Sequence, residues 1–278
     1  MQITNGILTL LVSGIALTGC GNSHQASTAV DQIMASDSVP TPVKGVVKAV
    51  ADDDSVEFAR LVSYPLQRPY PLRDISTPEE MTSYYKTLVD DSLRKVISGS
   101  HPSEWTEEGW RGWTLDHGQY VWIDDNVYAV DYVSEAERKE RDKLEENEIR
   151  SLHHKLRKGW KPRLCLVDTV SGRIYRVDRA EKQSKETERE YRLAVYADRK
   201  HLHDTPEASY TGRMDSEGSA ETPVYVFMLP GGNRIMIEPA PADGPNPRMF
   251  KGPEDEGREL KRVYWRDLLE ETPTDTIH

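Results

Sequence analysis

Cysteine is nearly absent: Cys20 and Cys165 are the two thiols in 278 residues. If Cys20 is used elsewhere, no disulfide can form, and the fold rests on packing alone. Phenylalanine is scarce too, with three Phe against 13 Tyr and six Trp. Rings that carry an O–H or N–H therefore dominate, which suits shallow cores and amphipathic surfaces. No charged residue occurs from Met1 to Gly19, so the whole net charge of −11 belongs to the chain beyond it. Such an acidic chain is repelled by nucleic acid and by anionic headgroups, which argues against nucleic acid as a partner. The sequence also lacks G-x-S-x-G, a Walker-type phosphate loop, G-x-G-x-x-G, C-x-x-C and H-E-x-x-H. The chemistries that depend on those compact signatures are set aside, and neither a cofactor nor a metal is expected.

What the chain has instead is an uncharged opening, "ILTLLVSGIALTGC", residues 7–20. Its apolar run is about 11 residues long, where a membrane-spanning helix needs roughly 20. Gly14 and Gly19 disfavour a helix interior. The end, Leu17-Thr18-Gly19-Cys20, resembles the lipobox of bacterial lipoproteins. That resemblance implies a signal peptide at 1–19 and a diacylglyceryl thioether on Cys20 as the new N-terminus. No Lys or Arg precedes the apolar run, a departure from the usual basic start. Position 21 is Gly rather than Asp, which points to an outer-membrane anchor facing the periplasm. Residues 20–41, rich in Ser, Asn, Gln, Thr and Ala, then read as a flexible tether.

Local signals organise the rest. Asp52, Asp53 and Asp54 precede an expected helix at 55–62, where carboxylates suit the positive helix end better than a metal. Three prolines at 65, 69 and 71 force an extended path. Thr77, Pro78 and Glu80 open a helix expected to run through Met81, Tyr85, Leu88, Leu93 and Val96 to Gly99. From Trp113 the period becomes two, giving three antiparallel strands joined at His117-Gly118 and Asp124-Asp125-Asn126. Ser134 and Glu137 form a capping box for a charged helix to about Lys158, laced by pairs such as Glu137/Arg141 and Glu146/Arg150. A hairpin follows at 163–178, and the apolar-free stretch 179–190 reads as a charged linker. Strands are expected at 191–197, 224–229, 234–238 and 261–265. The fold class is α+β: an α+β domain at 42–178, helices against a curved antiparallel sheet, then a smaller mostly-β unit at 191–278.

The stretch from Phe58 to Ile97, with "GWRGWTLDHGQYVWIDD" after it, is similar to uncharacterised bacterial envelope proteins of cystatin-like or NTF2-like fold. The similarity covers roughly residues 50–178, and it brings no catalytic residue with it. An NTF2-like fold implies a cone-shaped pocket between sheet and helices.

Asp131, set in an otherwise apolar strand, is the acid to look for in such a pocket. Trp105, Trp110, Trp113 and Trp122 crowd one region and offer faces that stack on sugar rings, or else fill the core. His201, His203 and Asp204 read as a polar loop rather than metal ligands, and His153 and His154, adjacent on the expected charged helix, diverge and do not chelate together. Cys165 between two leucines is a small buried thiol. The sequence thus points to an envelope lipoprotein that binds a protein partner or a wall component without catalysis. Its alternatives are a periplasmic hydrolase or isomerase using Asp131, and a glycan binder using the tryptophans.

Overall fold

The computed structural model describes residues 28–182, 190–217, 222–239, 246–252 and 255–270. The lipobox-like segment and Cys20 lie outside the described residues. The fold is mixed, helices and antiparallel sheets, in two connected modules.

The first module starts inside the expected tether. Thr28 caps α1 (Ala29–Ala35) by accepting from Asp31 N at 3.2 Å, while its own N–H reaches Asp31 Oδ2 at 3.0 Å. That helix packs because Val30 and Ile33 share one face, and Ile33 is fully buried. In α2 (Thr41–Ala51) Val43, Val46, Val47 and Val50 repeat at helical spacing and all are buried. Asp54 caps α3 (Ser55–Arg60), accepting from Val56 N and Glu57 N at 3.1 and 2.9 Å. The single helix expected to end at Gly99 is two, α4 (Pro78–Leu88) and α5 (Asp91–Ser98). Asp90 makes the break, because its carboxylate caps Ser92 N and Leu93 N and so starts a new helix.

These helices cover a four-stranded meander, β1 (Trp105–Glu107), β2 (Trp113–Leu115), β3 (Val121–Ile123) and β4 (Val127–Val130). Gly112, at φ +75°, permits the approach of β2 to β3, since a Cβ there would sit 2.4 Å from the Ile123 carbonyl oxygen. Phe58, Tyr85, Leu88, Leu93, Leu115 and Ile123 form the shared core.

The second module opens with α6 (Glu135–Ser151), where the Ser134–Glu137 capping box is present. This helix stops at Leu152, short of Lys158. Seven strands then run as an antiparallel meander: β5 (Trp160–Val167), β6 (Ile174–Ala180), β7 (Glu190–Tyr196), β8 (Ala208–Glu217), β9 (Thr222–Met228), β10 (Arg234–Glu238) and β11 (Arg248–Phe250). The two-residue β12 (Arg258–Glu259) pairs with β11 and β13 (Lys261–Arg262) with β5. The chain between them, through buried Leu260, joins the two sheet edges and nearly closes a barrel. Leu166, Val177, Leu193, Phe227 and Ile237 alternate inward and fill it.

Several boundaries therefore differ from the expectation. The 163–178 hairpin belongs to the barrel, not to the helical module. The expected linker at 179–190 connects β6 to β7, whose register includes Arg179↔Tyr191; residues 183–189 lie outside the described residues. Trp265, expected to end a strand, opens α7 (Trp265–Glu270), which packs on the barrel's outer face with Leu152, Cys165 and Tyr196.

Candidate functional site

The extended path expected around the prolines at 65, 69 and 71 becomes the seam between the modules. Arg68 lies at its centre, fully enclosed. Its Nε and Nη2 donate to the two carboxylate oxygens of Glu137, each at 2.8 Å, and its Nη1 reaches the Val130 carbonyl at 2.6 Å. Both side chains are 0% exposed. One arginine thus joins the seam, β4 and the start of α6.

Beside it, a cleft of about 400 Å³ opens where one end of the barrel meets the first module. Asp131 and Val130 at the end of β4 form one wall, and Tyr225, Pro223 and Met214 from β9 and β8 form the other. Arg163 enters from β5 at a register shift: Pro162 faces Asp178 and Leu164 faces Val177, so Arg163 has no cross-strand partner. Such a bulge takes a side chain out of the inside–outside alternation and re-aims it. Its Nε donates to the Tyr225 hydroxyl at 3.2 Å, and among the described residues it pairs with no carboxylate. Arg262 also lines the cleft; its Nη2 donates to the Arg68 carbonyl at 3.0 Å and its Nη1 lies 3.4 Å from Asp74 Oδ2, while its Nε is buried without a protein partner.

Asp131 is exposed at the rim of this cleft rather than set between sheet and helices. Its Oδ2 accepts from the Trp122 indole N–H at 2.9 Å. The four tryptophans do not form one platform. Trp105 is in the core with its indole donating to Ser100 Oγ at 3.0 Å, and Trp113 packs against that core. Trp122 is half-buried beside Tyr128, ring centroids 6.4 Å apart. Trp110 alone of the four is exposed, at 77%, with the Arg111 guanidinium stacked over it.

Several of the remaining polar candidates have structural partners, whereas His153 Nδ1 is buried without one. Asp90 accepts from the Tyr132 hydroxyl at 2.8 Å. His201 Nδ1 lies 2.8 Å from Asp198 Oδ1 and His203 Nδ1 lies 3.0 Å from the Ser151 carbonyl oxygen. His153 and His154 fall just past α6, not within it, and their rings lie 4.2 Å apart instead of diverging. Burial lowers the His153 pKa, and the neighbouring His154 adds to the effect. Among the described residues no group of three His, Cys, Asp or Glu is placed to hold a metal. Cys165 is buried, and desolvation raises its pKa far above that of a reactive thiol.

No family model, no curated protein and no solved structure matches this chain. The site is thus defined by its own geometry. Arg163 and Arg262 carry no sequence signal: each stands near another cation, Lys161 in β5 and Lys261 in β13, with nothing local to single it out. Among the described residues, no helix is long and apolar enough to cross a membrane.

Proposed function

We propose that this protein is a non-catalytic binding module of the bacterial envelope, held at the outer membrane by a lipid on Cys20 and recognising a cell-wall component. The carrying observation is the inter-module cleft, a concave site with a few convergent polar groups at a barrel mouth. The acidic composition and the lipobox-like end support the compartment. The helices laid on one face of a short antiparallel meander support a cystatin-like or NTF2-like relation for the first module. The hydrolase alternative has Asp131 in the cleft, but the groups around it are arginines and a tyrosine, an arrangement that holds a ligand rather than divides an acid–base pair.

Metabolic labelling with a tagged fatty acid is expected to mark the wild-type protein and leave Cys20→Ser unlabelled; equal labelling of both would remove the anchor. Binding is tested with the chain from Gly21 onward, which contains every described element. Sedimentation with purified wall sacculi is expected to carry it into the pellet saturably. A protein that stays in the supernatant at every sacculus concentration would end the reading.

A further inference from the structure

In a protein of net charge −11, three arginines and one carboxylate line the cleft; Arg68 is matched by Glu137 and Arg262 by Asp74, which leaves Arg163 as the cation without a carboxylate among the described residues. Arg163 has both Nη groups uncommitted among the described residues, because its one recorded bond is Nε to Tyr225. Arg262 lies beside it as a second guanidinium, its Nη1 already 3.4 Å from Asp74 Oδ2 and its buried Nε without a protein partner. A fork of free N–H donors beside a phenol is the geometry that grips an oxyanion in two places. Asp131 stands in the same cleft with Oδ2 fixed by Trp122. Its carboxylate repels a bare anion and accepts from a donor that the bound molecule carries next to its negative group.

We infer that this cleft is an anion site, centred on the Arg163 fork with Arg262 beside it, for a small carboxylate- or phosphate-bearing molecule that presents an adjacent N–H or O–H to Asp131. A peptide C-terminus meets both demands, since its last amide N–H lies next to the carboxylate. A volume of about 400 Å³ admits a group of dipeptide size. The bulge at Arg163 has a role in this account: it moves one cation off the strand alternation into the mouth. The inference rests on reading the cleft as the binding site, and it names the chemistry recognised there.

The test uses the ¹⁵N-labelled chain from Gly21 onward, titrated separately with N-acetyl-Ala-Ala, its C-terminal amide and inorganic phosphate. The indole N–H of Trp122 reports on the cleft through Asp131, and that of Trp105, bonded to Ser100, reports on the core. The acid is expected to shift the Trp122 signal saturably and leave Trp105 in place. The amide and the Arg163→Gln protein are each expected to bind about tenfold or more weakly. Arg163→Lys, which lacks the fork, is expected to fall between. A response to phosphate and not to the acid keeps the anion site and assigns it to a phosphoester. No shift with acid or phosphate, equal binding of acid and amide, or undiminished binding by Arg163→Gln with an intact Trp105 signal would each overturn it. Sacculus retention that survives Arg163→Gln would remove this inference and leave wall binding standing. Acid binding without sacculus retention would do the reverse.

Discussion

Replacing Arg68 by Ala is expected to destabilise the protein by about 3–5 kcal/mol, the cost of leaving a buried charge without its partner. The stranded group is Glu137, which after the substitution keeps, among the described residues, the Ser134 N–H at 3.1 Å and the Tyr84 hydroxyl at 3.2 Å. Arg68 also satisfies the Val130 and Tyr132 carbonyls, so two backbone acceptors lose their donor at the same time. Lysine does not rescue the site, because a single ammonium cannot engage both carboxylate oxygens and two carbonyls. The paired substitution Arg68→Met with Glu137→Leu is expected to recover most of the loss, since removing both charges removes the desolvation penalty of each. Urea titrations followed by tryptophan emission measure all three. A loss under about 1 kcal/mol for Arg68→Ala would show that Glu137 finds water or a new cation, and that the seam is not held by this pair.

Glu137 also shows how far the sequence can be read. Ser-x-x-Glu is a local signal, and the capping box it announces is present. The other role of Glu137, as carboxylate for Arg68, spans 69 positions and has no local trace; pairing by helix spacing points to Arg141 instead. Arg141 turns to Glu145, whereas Glu146 and Arg150 do pair as their spacing suggests. Capping at Asp54 and the turn at Asp124–Asn126 are legible because each depends on residues within one turn. The strand β8, "ASYTGRMDSE", was not, because it has too little apolar alternation to stand out from a loop. Without β8 the barrel cannot be inferred, and the β5–β6 hairpin then attaches to the wrong module. The same gap conceals the cleft. Asp131 is visible as an acid in an apolar strand, but the barrel end facing it depends on strand order.

The charged strand "RIYRVDRA" holds the second large effect. Arg176 points away from the barrel interior, under α6 and α7, and is 1% exposed. Its Nε donates to Asp178 Oδ1 at 2.7 Å and its Nη1 to Glu148 Oε1 at 3.0 Å, and the guanidinium lies 4.7 Å from the Trp265 ring centre. Arg192 meets the other oxygen of Asp178 at 2.6 Å, and the Tyr70 hydroxyl donates to Glu148. Arg176 thus separates two buried carboxylates. Replacing it with Met is expected to cost about 3–5 kcal/mol at neutral pH, because Glu148 loses its cation and confronts Asp178 without one between them. The loss should depend on pH. Burial already raises the Glu148 pKa, more than the attraction of Arg176 lowers it. A carboxyl raised above its unfolded value of about 4.3 binds more protons folded than unfolded, so its penalty is absent below that value and grows as pH rises through the folded pKa. Removing Arg176 raises that pKa further. The deficit of Arg176→Met against wild type is therefore expected to be smaller at pH 5 than at pH 8. Adding Glu148→Gln to Arg176→Met should flatten this pH dependence, because the titrating group is gone while the side chain's size is kept. Urea midpoints at the two pH values decide it. A deficit that stays constant, or grows toward pH 5, would mean that Glu148 is neutral or solvated in the folded protein, and that Arg176 acts through its packing on Trp265 alone.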